Sequence, residues 1–488
     1  MTNFALYRKI KMKEILISRE KECRLLQHSL ESDRSELIVV SGRRRIGKTY
    51  LIDTFFKRKY DFTFVGEHDT PTKRQIQNFM RALQKQSGRK QPSVRDWYDA
   101  FNALEDYLES ISGNRKKIIF IDEMPWMDAR RSSFVRALEN FWNGWANRRK
   151  DIVLIATGSS TSWMADKLLG NKGGLHARVT CNLHLSPFSL HDTEAYLRSV
   201  KCKWDRYQVL QCYMTFGGIP FYLSLLNPKQ SLAENIDRLF FSPDSQLKNE
   251  FDELYTALFP EAESYTNIVK LLSENKCGLN REEISKATGL EGSYLTQVIK
   301  NLIRSDFVTL YNHYDCKKRA AVYKLTDFFT LFYYKFGAMF DSKNPKWWSQ
   351  NLRSQSVLSW MGLSFELVCL CHPMQIKESL GIAGINSEFY TWKSNANPQK
   401  HIPGFQIDMI IKRADRVIHL CEMKFSTQAY RVDGKYEEEL RKRMAYFDIA
   451  TGNKMTLLNT FVTTYGIVGG KYASIVDCEV TMDGLFKS

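Results

Sequence analysis

The sequence is poor in the residues that stiffen or cross-link a chain. Its 488 residues include 12 prolines and 10 cysteines, too few for long stiff linkers or for a disulfide-stabilised scaffold. No two cysteines have C-x-x-C spacing, and no set of cysteines and histidines has zinc-finger spacing. We therefore interpret the cysteines as reduced, mostly buried thiols.

Long apolar runs are also missing. No run approaches the roughly 18 residues that a membrane-spanning helix needs, and the apolar runs Ile118–Ile121 and Ile152–Ala156 have the length of core strands. The first residues, MTNFALYRKIKMKE, are basic but contain neither the apolar core nor the cleavage site of a secretory signal. We therefore expect a cytoplasmic protein without membrane spans.

Acidic residues are outnumbered by basic ones. The chain has 54 Asp and Glu against 70 Lys and Arg, a formal net charge of +16. Such a surplus favours an anionic partner, either nucleic acid or nucleotide phosphates, and a basic protein without such a partner is the alternative. A hydrophobic fraction of 43% with 25% charged residues is typical of a globular chain, and the length predicts about three domains.

The pattern of predicted elements changes along the chain. Short β-rich runs alternate with helical stretches at first, which indicates a parallel sheet covered by helices. A helical segment follows, then three helices with a β-hairpin, and finally a second alternating region after the linker-like Asp341–Lys346. These changes predict four domains, at residues 15–186, 187–255, 256–340 and 345–488.

A phosphate-binding motif follows the first predicted strand. The sequence G-R-R-R-I-G-K-T comes directly after Leu37–Ser41 and opens a predicted helix, which is the context that a P-loop requires. Its glycines let backbone N–H groups surround phosphate oxygens, Lys48 reaches the β- and γ-phosphates, and Thr49 ligates Mg²⁺. The predicted nucleotide-binding residues of this loop are Gly42, Arg43, Arg44, Arg45, Ile46, Gly47, Lys48, Thr49 and Tyr50.

Two further predicted strands end in residues suited to ATP hydrolysis. Lys117–Asp122 is followed by Glu123; Asp122 fits the acid on the Mg²⁺ side, and Glu123 fits the residue that polarises the attacking water. The strand Ile152–Thr157 leads to Ser159. Either Thr157 or Ser159 can place a hydroxyl near the γ-phosphate as a sensor, and the alternative for Ser159 and its neighbour Ser160 is a helix cap.

The order of these motifs resembles the AAA+/STAND class and, more narrowly, the archaeal-type ATPase family. The lead-in Ser18–Glu22, the loop Gly174–Arg178 and the sequence Gly217–Leu223 match the family's pattern. The resemblance implies that Arg178 contacts the γ-phosphate in cis or in trans, a structural salt bridge being the alternative. It also implies that GIP, at 218–220, approaches the nucleotide from a helical lid. Many STAND proteins have a sensor arginine where this chain has Gly158 and Ser159.

The segment around residues 279–310 resembles a winged helix-turn-helix. Asn280 can cap one helix, Gly289 fits the turn and Ser293 begins the next helix, whose apolar residues share one face. The segment either contacts DNA or serves as an internal packing module. In the first case the contacts would come from Ser293, Gln297 and Lys300 in a groove and from the basic wing Lys317–Arg319 on phosphate.

Two carboxylates and a lysine fall on apolar strands near the end of the chain. Gln406–Lys424 is predicted to be two strands joined by a turn at Arg413–Asp415, with Asp408 opposite residue 420 or 421 and Glu422 one diagonal step away. A period of two places Glu422 and Lys424 on one face. Asp408 and Glu422 are hard ligands for a divalent metal, and Lys424 can hold or deprotonate a metal-bound water. A surface salt-bridge ladder is the alternative.

The D-x₁₃-E-x-K spacing resembles the PD-(D/E)XK nuclease superfamily. The resemblance implies an upstream helix acid, which Glu366 matches, and extra polar groups at the positions of Gln406 and Tyr436. The residue before Asp408 is isoleucine and not the proline of the family pattern. The expected fold is therefore multidomain α/β, with a P-loop AAA+ parallel-sheet core, a helical lid, a winged helix-turn-helix and a C-terminal restriction-endonuclease-like domain.

Three hypotheses for function follow from these patterns. The first is an ATPase that uses ATP and Mg²⁺ and is coupled to metal-dependent DNA cleavage, with Mn²⁺ as a possible metal at the C-terminal site and homo-oligomers as possible assemblies. The second is a STAND-type signalling ATPase whose C-terminal domain binds nucleic acid or a partner without cleaving it. The third is a transcriptional regulator that uses the winged helix.

Overall fold

The computed structural model describes residues 16–170, 174–175, 177–259, 261–314, 321–341, 343–394 and 404–488. The predicted wing Lys317–Arg319 lies outside these residues, as does His176 of the Gly174–Arg178 loop. The chain divides into two compact units, with the boundary between Ser186 and Pro187.

The first unit contains a five-stranded sheet in which every neighbouring pair is parallel. The strand order is β2-β3-β4-β1-β5. The strands are β1 Glu36–Ser41, β2 Phe62–Val65, β3 Lys117–Asp122, β4 Ile152–Thr157 and β5 Cys181–His184. The predicted strands at 117–122 and 152–157 have the observed bounds, and every residue of β1, β3 and β4 is buried. Strands covered on both faces need such continuous apolar runs, because neither face meets water.

Helices cover this sheet. They are α1 Glu20–Glu31, α2 Lys48–Phe55, α3 Thr72–Ser87, α4 Trp97–Glu109, α5 Phe134–Asn140 and α6 Thr161–Trp163. Short 3₁₀ turns at Met124–Met127 and Ala146–Arg148 and π-helical segments at Phe141–Trp145 and Met164–Leu169 complete the unit. Interlocking rings of Phe79, Trp97, Phe101 and Phe134 fill the core between α3, α4 and α5. Parallel strands place their carboxyl ends at one edge, so residues after β1, β3 and β4 meet there.

The second unit begins with a helical segment, as the sequence predicts. Its helices are α7 Leu190–Ser199, α8 Arg206–Phe216, α9 Pro220–Ser224, α10 Leu232–Ile236 and α11 Glu250–Leu258, with a π-helical stretch at Asp237–Phe241. Capping boxes at Ser189, Asp205 and Ser231 begin α7, α8 and α10, because each side chain satisfies a backbone N–H that the first helical turn leaves without a partner.

Three helices and an antiparallel pair of strands follow. They are α12 Ala262–Glu274, α13 Arg281–Thr288, α14 Gly292–Arg304, β6 Val308–Tyr311 and β7 Val322–Leu325. Asn280 and Glu283 form the predicted capping box, and Gly289 ends α13 in the left-handed conformation. Helix α14 begins at Gly292, one residue before the predicted Ser293. We refer to residues 261–341 as the middle segment.

The rest of the unit contains a mixed five-stranded sheet with the order β12-β11-β10-β9-β8. Its strands are β8 Ser387–Ser394, β9 Phe405–Arg413, β10 Val417–Lys424, β11 Thr456–Thr463 and β12 Cys478–Thr481. Helix α15 Phe328–Phe336 and the 3₁₀ turn Gly337–Met339 complete the middle segment. The helices after it are α16 Trp347–Asn351, α17 Gln355–Cys371, α18 Pro373–Ser379, α19 Gly434–Thr451 and α20 Met482–Leu485, with a 3₁₀ turn at Ala473–Ile475. Strands β8, β9 and β10 are antiparallel, whereas β10, β11 and β12 are parallel.

The predicted hairpin of β9 and β10 is present, but its register differs from the prediction. Cys421 pairs with Met409 and Ile418 pairs with Lys412. The same register continued by one residue sets Asp408 opposite Glu422, and not opposite residue 420 or 421 as predicted. The turn lies slightly later than its predicted centre, and a small shift of a turn moves every cross-strand pair. Residue 421 is therefore opposite Met409 and not Asp408, and Asp408 and Glu422 are the residues just beyond the last pair on the two strands.

A helix that spans a membrane must be long and apolar. Within the described residues no single helix is long and apolar enough to cross a bilayer. Helices α17 and α18 pass such a test only when taken together, and they are bent by 79° with respect to each other.

Candidate functional site

The loop between β1 and α2 has the conformation that phosphate binding requires. Gly47, at the N-cap of α2, has φ 90°. Gly42 has φ 137°, and a Cβ atom there would lie 2.5 Å from the backbone oxygen of Leu185. Both positions therefore need glycine. The N–H groups of the first turn of α2 have no partners within the helix, so they and the positive end of the helix dipole can receive phosphate oxygens.

Lys48 is buried and folded back on its own loop. Its Nζ donates to the backbone oxygens of Gly42 at 2.9 Å and Arg43 at 3.0 Å and to Ser159 Oγ at 3.1 Å. Burial lowers the pKa of Lys48 to about 8, although the charges of Glu123 and Asp122 oppose this shift. The ammonium group is thus held by neutral oxygens, and an anionic ligand would stabilise its charge further.

Asp122 at the end of β3 is held by two threonine hydroxyls. Thr49 Oγ1 donates to Asp122 Oδ2 at 2.8 Å, and Thr157 Oγ1 donates to Asp122 Oδ1. Burial raises the pKa of Asp122, and these two hydrogen bonds oppose the shift. The Thr49 and Asp122 oxygens fit Mg²⁺, because this ion usually takes one or two protein ligands and completes its octahedron with phosphate oxygens and water.

Glu123 has a left-handed backbone with φ 47°, and three donors fix its carboxylate. Ser159 Oγ donates to Oε1 at 2.5 Å, while Ser159 N at 3.1 Å and Trp126 Nε1 at 2.8 Å donate to Oε2. Burial raises the pKa of Glu123, but Lys48 and the Ser159 hydroxyl outweigh it, and the net pKa is below its ordinary value. The carboxylate is therefore ionised, as a group that orients water must be.

The structure separates the two sensor candidates. Ser159 bonds to both Lys48 and Glu123, whereas the Thr157 hydroxyl is directed at Asp122 and also accepts from the Glu123 N–H. Ser160 occupies the N-cap of α6 but makes no capping hydrogen bond through its side chain, so the capping alternative is wrong for Ser160. Trp126 was missed by sequence reasoning, because an indole donor three residues after an acid has no recognised pattern.

The other predicted nucleotide-binding residues vary in exposure. Arg43 and Ile46 are buried, with 1% of each residue exposed, and Tyr50 is 48% exposed; Arg44 and Arg45 are intermediate. Arg178 is exposed, and its guanidinium forms no ion pair with any residue that the structure describes. The structural salt bridge that was the alternative for Arg178 is therefore not seen in this part of the chain.

A second group of ionisable residues lies in the C-terminal sheet region. Glu366 of α17, Asp408 of β9 and Glu422 of β10 form what we call the carboxylate cluster. Burial, together with the charges of Asp408 and Glu422, raises the pKa of Glu366 to about 8. Burial and Glu422 likewise raise the pKa of Asp408. The three predicted acids are thus close enough to disfavour one another's charge.

Glu422 is the member of the cluster with most partners. Its Oε1 accepts from Tyr436 at 2.5 Å and lies 2.7 Å from Lys424 Nζ, while its Oε2 lies 2.6 Å from Arg443 Nη1. Burial raises the pKa of Glu422, but Arg443 and Lys424 outweigh this and bring it to about 2. Arg443 of α19 was not predicted, because its approach depends on how α19 packs on the sheet.

Asp408 is linked to the middle segment through a short chain of hydrogen bonds. Gln406 Nε2 donates to Asp408 Oδ1 at 3.0 Å, and the Cys277 thiol donates to Gln406 Oε1 at 2.9 Å. Lys324 of β7 is also near: burial lowers its pKa, and the charges of Asp408, Cys277 and Glu366 oppose the shift. Cys277 and Lys324 carried no signal in the sequence.

A metal ion would meet different surroundings at the two places. Across the described residues, no group of three or more His, Cys, Asp and Glu side chains is arranged to hold a metal ion. Asp408 and Glu366 are disfavoured as charged groups, so a divalent cation would stabilise them. Glu422 Oε1 already contacts Lys424, so a metal bound there would need Lys424 to turn toward a water ligand.

Comparison with known proteins concerns the domain that contains the first site. A family model described as an ATPase domain predominantly from Archaea matches residues 16–226. This range includes the P-loop, the acids Asp122 and Glu123 and the hydroxyl residue Ser159. Residues 16–226 are therefore similar to an archaeal-type ATPase domain, and the chain has a parallel-sheet P-loop ATPase core with a separate α/β sheet region after it.

Several proteins are similar to the chain over longer stretches. An uncharacterized protein of Methanocaldococcus jannaschii is 28% identical over 325 residues, which are 66% of this chain and 69% of that protein. A Walker-type ATPase of Pyrococcus abyssi has a TM-score of 0.47 at 18% identity and covers 67% of this chain and 98% of its own. The ORC2 protein of Aeropyrum pernix in its ADPNP and ADP complexes has a TM-score of 0.40 at 14% identity, covering 70% and 98%.

Proposed function

We propose that this protein hydrolyses ATP at the P-loop and cleaves DNA at the carboxylate cluster with the help of a divalent metal ion. The observation that supports the second activity is the convergence of Glu366, Asp408 and Glu422, from three elements, beside Lys424. The carboxylate cluster and the ATPase domain belong to the same chain. We further propose that nucleotide state or assembly regulates cleavage.

The nucleotide site contains the parts that ATP hydrolysis needs. Lys48 would bind the β- and γ-phosphates after leaving the backbone oxygens of its own loop, and Thr49 with Asp122 would hold Mg²⁺. Glu123 would orient the attacking water. Ser159 would hold this carboxylate near Lys48, because its hydroxyl bonds to both groups. The positively charged loop Arg43–Arg45 would add further attraction for phosphate.

The carboxylate cluster would bind Mg²⁺ or Mn²⁺ through Asp408 and Glu422, with Glu366 as an outer acid. The metal supplies a Lewis acid for the phosphodiester and a more acidic bound water. Lys424 would hold that water, and Tyr436 and Arg443 keep Glu422 oriented through its two oxygens. Tyr436 and Arg443 of helix α19 would thus position Glu422 as a metal ligand, as residues that contact the ligands do at other metal sites.

Nucleic acid suits the charge of the chain. A net charge of +16 attracts a polyanion over a longer range than any single contact. The three-helix arrangement α12 to α14 with the β6–β7 pair supports the proposal that the middle segment is a winged helix-turn-helix. Exposed Arg178 would act on nucleotide in a second copy of the chain, because it has no partner within the described residues.

A second candidate is a regulatory ATPase whose C-terminal region recognises nucleic acid without cutting it. The observation in its favour is that Lys424 and Arg443 already neutralise Glu422. A site whose acids are permanently paired with cations keeps its fold but binds metal weakly. The two candidates differ in cleavage, and cleavage can be measured directly beside metal affinity.

Calorimetric titration of the full-length protein with MnCl₂, without nucleotide, tests the proposal. We expect wild-type protein to bind Mn²⁺ at a site that Asp408→Asn removes, because the amide keeps the shape but loses the charge. Cleavage of plasmid DNA should disappear in this variant while ATP hydrolysis continues. Asp415→Asn, in the exposed turn of the hairpin, is the matched control and should change neither.

Other outcomes would reject the metal site or favour the second candidate. Equal Mn²⁺ binding by wild-type protein and Asp408→Asn, or no binding by either, would show that the cluster is not a metal site. Mn²⁺ binding that Asp408→Asn removes, without cleavage of plasmid DNA, linear DNA or RNA, would favour recognition without cleavage. Lys424→Ala distinguishes the roles further, since it should retain Mn²⁺ binding and lose most of the cleavage rate.

A further inference from the structure

A cavity of about 460 Å³ lies between the middle segment and α17. Its lining includes an apolar part, with Leu325, Trp360 and Leu363, and a basic part to which four lysines contribute. The lysines are Lys270, Lys276, Lys324 and Lys335, and the acids in the lining are Glu274 and Glu366. Four cations against two acids make the lining positive, and Glu366 places it next to the carboxylate cluster.

Lys324 differs from the other three lysines because it is buried. Only 8% of the residue is exposed, whereas Lys270, Lys276 and Lys335 are exposed. Within the part of the chain that the structure describes, its ammonium makes no hydrogen bond or ion pair, and it lies over the Tyr311 ring, 5.7 Å from the ring centroid. A buried cation without a close partner is costly unless an anion completes its surroundings.

The backbone around Lys324 holds it firmly in place. Strand β7 pairs with β6 on one side, and the neighbouring Tyr323 exchanges two backbone hydrogen bonds with Leu279, of 3.1 and 2.8 Å. The Cys277 thiol, two residues before Leu279, donates to Gln406, which in turn donates to Asp408. The same short stretch therefore fixes both the lysine and one wall of the cluster.

We propose that this cavity binds the phosphate backbone of a nucleic acid strand leading to the carboxylate cluster, with Lys324 as the buried phosphate contact beside Glu366. This proposal rests on the proposed function of the cluster, which it extends by adding a substrate-binding residue from the middle segment. The exposed lysines form the outer part of the path, and the apolar wall with Trp360 offers a surface against which bases can pack.

The alternative role for Lys324 is a permanent counter-ion for Asp408 and Glu366. The two roles predict different effects on strand binding when the charge of Lys324 is removed. A phosphate contact, once lost, weakens strand binding and reduces its salt dependence. A counter-ion, once lost, leaves the carboxylates free to take up a proton or a metal cation and leaves the salt dependence of strand binding unchanged.

The test is fluorescence anisotropy of the full-length protein with a fluorescein-labelled oligothymidylate, over a series of NaCl concentrations and without divalent metal. We expect Lys324→Gln to weaken binding by about tenfold and to reduce the slope of log K against log [NaCl] by about 0.7, as for one single-strand phosphate contact. Lys324→Arg should restore both. Lys229→Gln, in an exposed loop of the same unit, should change neither.

Unchanged or stronger binding by folded Lys324→Gln would overturn the proposal. If thermal unfolding shows that Lys324→Gln does not fold, the double variant Lys276→Gln and Lys335→Gln at the exposed lysines is measured instead. This variant should reduce the slope of log K against log [NaCl], and an unchanged slope would overturn the proposal. An oligouridylate of equal length distinguishes RNA from DNA. Because no metal is present, absence of cleavage or of Mn²⁺ binding would reject the proposed nuclease without affecting this measurement.

Discussion

The nucleotide site and the carboxylate cluster both combine buried acids with a lysine, but they neutralise charge in opposite ways. At the nucleotide site, Asp122 and Glu123 are held mainly by neutral hydroxyl, indole and backbone donors, and Lys48 contacts neutral oxygens. In the cluster, Glu422 contacts two cations directly. The first arrangement leaves positive charge available for phosphate, whereas the second contains three acids that repel one another.

The pKa values express the same contrast. Burial lowers the pKa of Lys48 to about 8, so that its positive charge is disfavoured in the free protein. Burial with neighbouring carboxylates raises the pKa of Glu366 to about 8, so that its negative charge is disfavoured. An anionic ligand at the first site and a cationic ligand at the second would each restore the charged form. The two sites are therefore suited to ligands of opposite charge.

The largest expected effect of a single change at the nucleotide site is on turnover. Glu123→Gln should lower ATP turnover by about 10²–10⁴-fold while ATP affinity stays near that of the wild type, because the phosphate-binding groups remain and only water activation is lost. Steady-state hydrolysis and calorimetric ATP titration measure the two quantities. Glu109→Gln is an exposed control, and wild-type turnover in Glu123→Gln would assign water activation to another residue.

Removal of the P-loop lysine should act on binding instead. Lys48→Ala is expected to weaken ATP binding by about 100-fold or more, since charge-assisted hydrogen bonds to phosphate contribute about 1.5–3 kcal/mol each. Calorimetry with ATP in the presence of Mg²⁺ measures this loss, and Lys73→Ala at the exposed start of α3 serves as control. Unchanged affinity in Lys48→Ala would contradict the assignment of the loop.

A smaller effect is expected from Arg178. Arg178→Ala should lower turnover by about tenfold with little change in affinity, as for one charge-assisted contact made mainly in the transition state. If the contact is made in trans, turnover per chain of the wild type should also rise with protein concentration, and that of Arg178→Ala should not. A loss of affinity alone would return Arg178 to a structural role.

The smallest expected effect concerns the stability of the C-terminal sheet in acid. Burial, together with the charge of Arg413, lowers the pKa of His419 to about 4. Its folded pKa is below the ordinary value near 6.5, so its stabilising contribution is complete above pH 6.5 and is lost as the pH falls toward 4. We expect a loss of about 1–2 kcal/mol over this range.

Chemical denaturation at pH 7 and pH 4.5 measures this change. His419→Gln should reduce the pH dependence, because a neutral amide does not bind a proton in either state. The same substitution at exposed His28 should leave the pH dependence as it is in the wild type. Equal pH dependence in wild-type protein and His419→Gln would show that other groups are responsible.

How much of each site could be predicted from the sequence depends on how its residues are distributed. The P-loop occupies eight consecutive positions, and Asp122 and Glu123 end a strand whose bounds were predicted correctly. Local spacing and strand ends therefore identified these residues. Trp126 and the double role of Ser159 escaped prediction, because they depend on the paths of two loops after β3 and β4.

At the carboxylate cluster, local spacing identified only part of the site. Asp408, Glu422 and Lys424 were recognised by their spacing in one hairpin, although the predicted register of Asp408 was wrong. Arg443 and Lys324 were not recognised, since the first depends on the packing of α19 and the second on that of β7. No regularity in the sequence links residue 324 to residue 408.

The sequence by itself determined several local structures of this protein: the P-loop, strands β1, β3, β4, β9 and β10, the Asn280 cap of α13 and the acids that end or line these strands. These depend on residue spacing, backbone preferences and apolar periodicity, which act over a few positions. Only the tertiary structure decided that β4 lies between β1 and β3, that Ser159 bonds to both Lys48 and Glu123, and that Lys324 and Arg443 approach the carboxylate cluster. Such contacts join residues far apart in the chain, and the packing of whole elements, rather than any local preference, selects them.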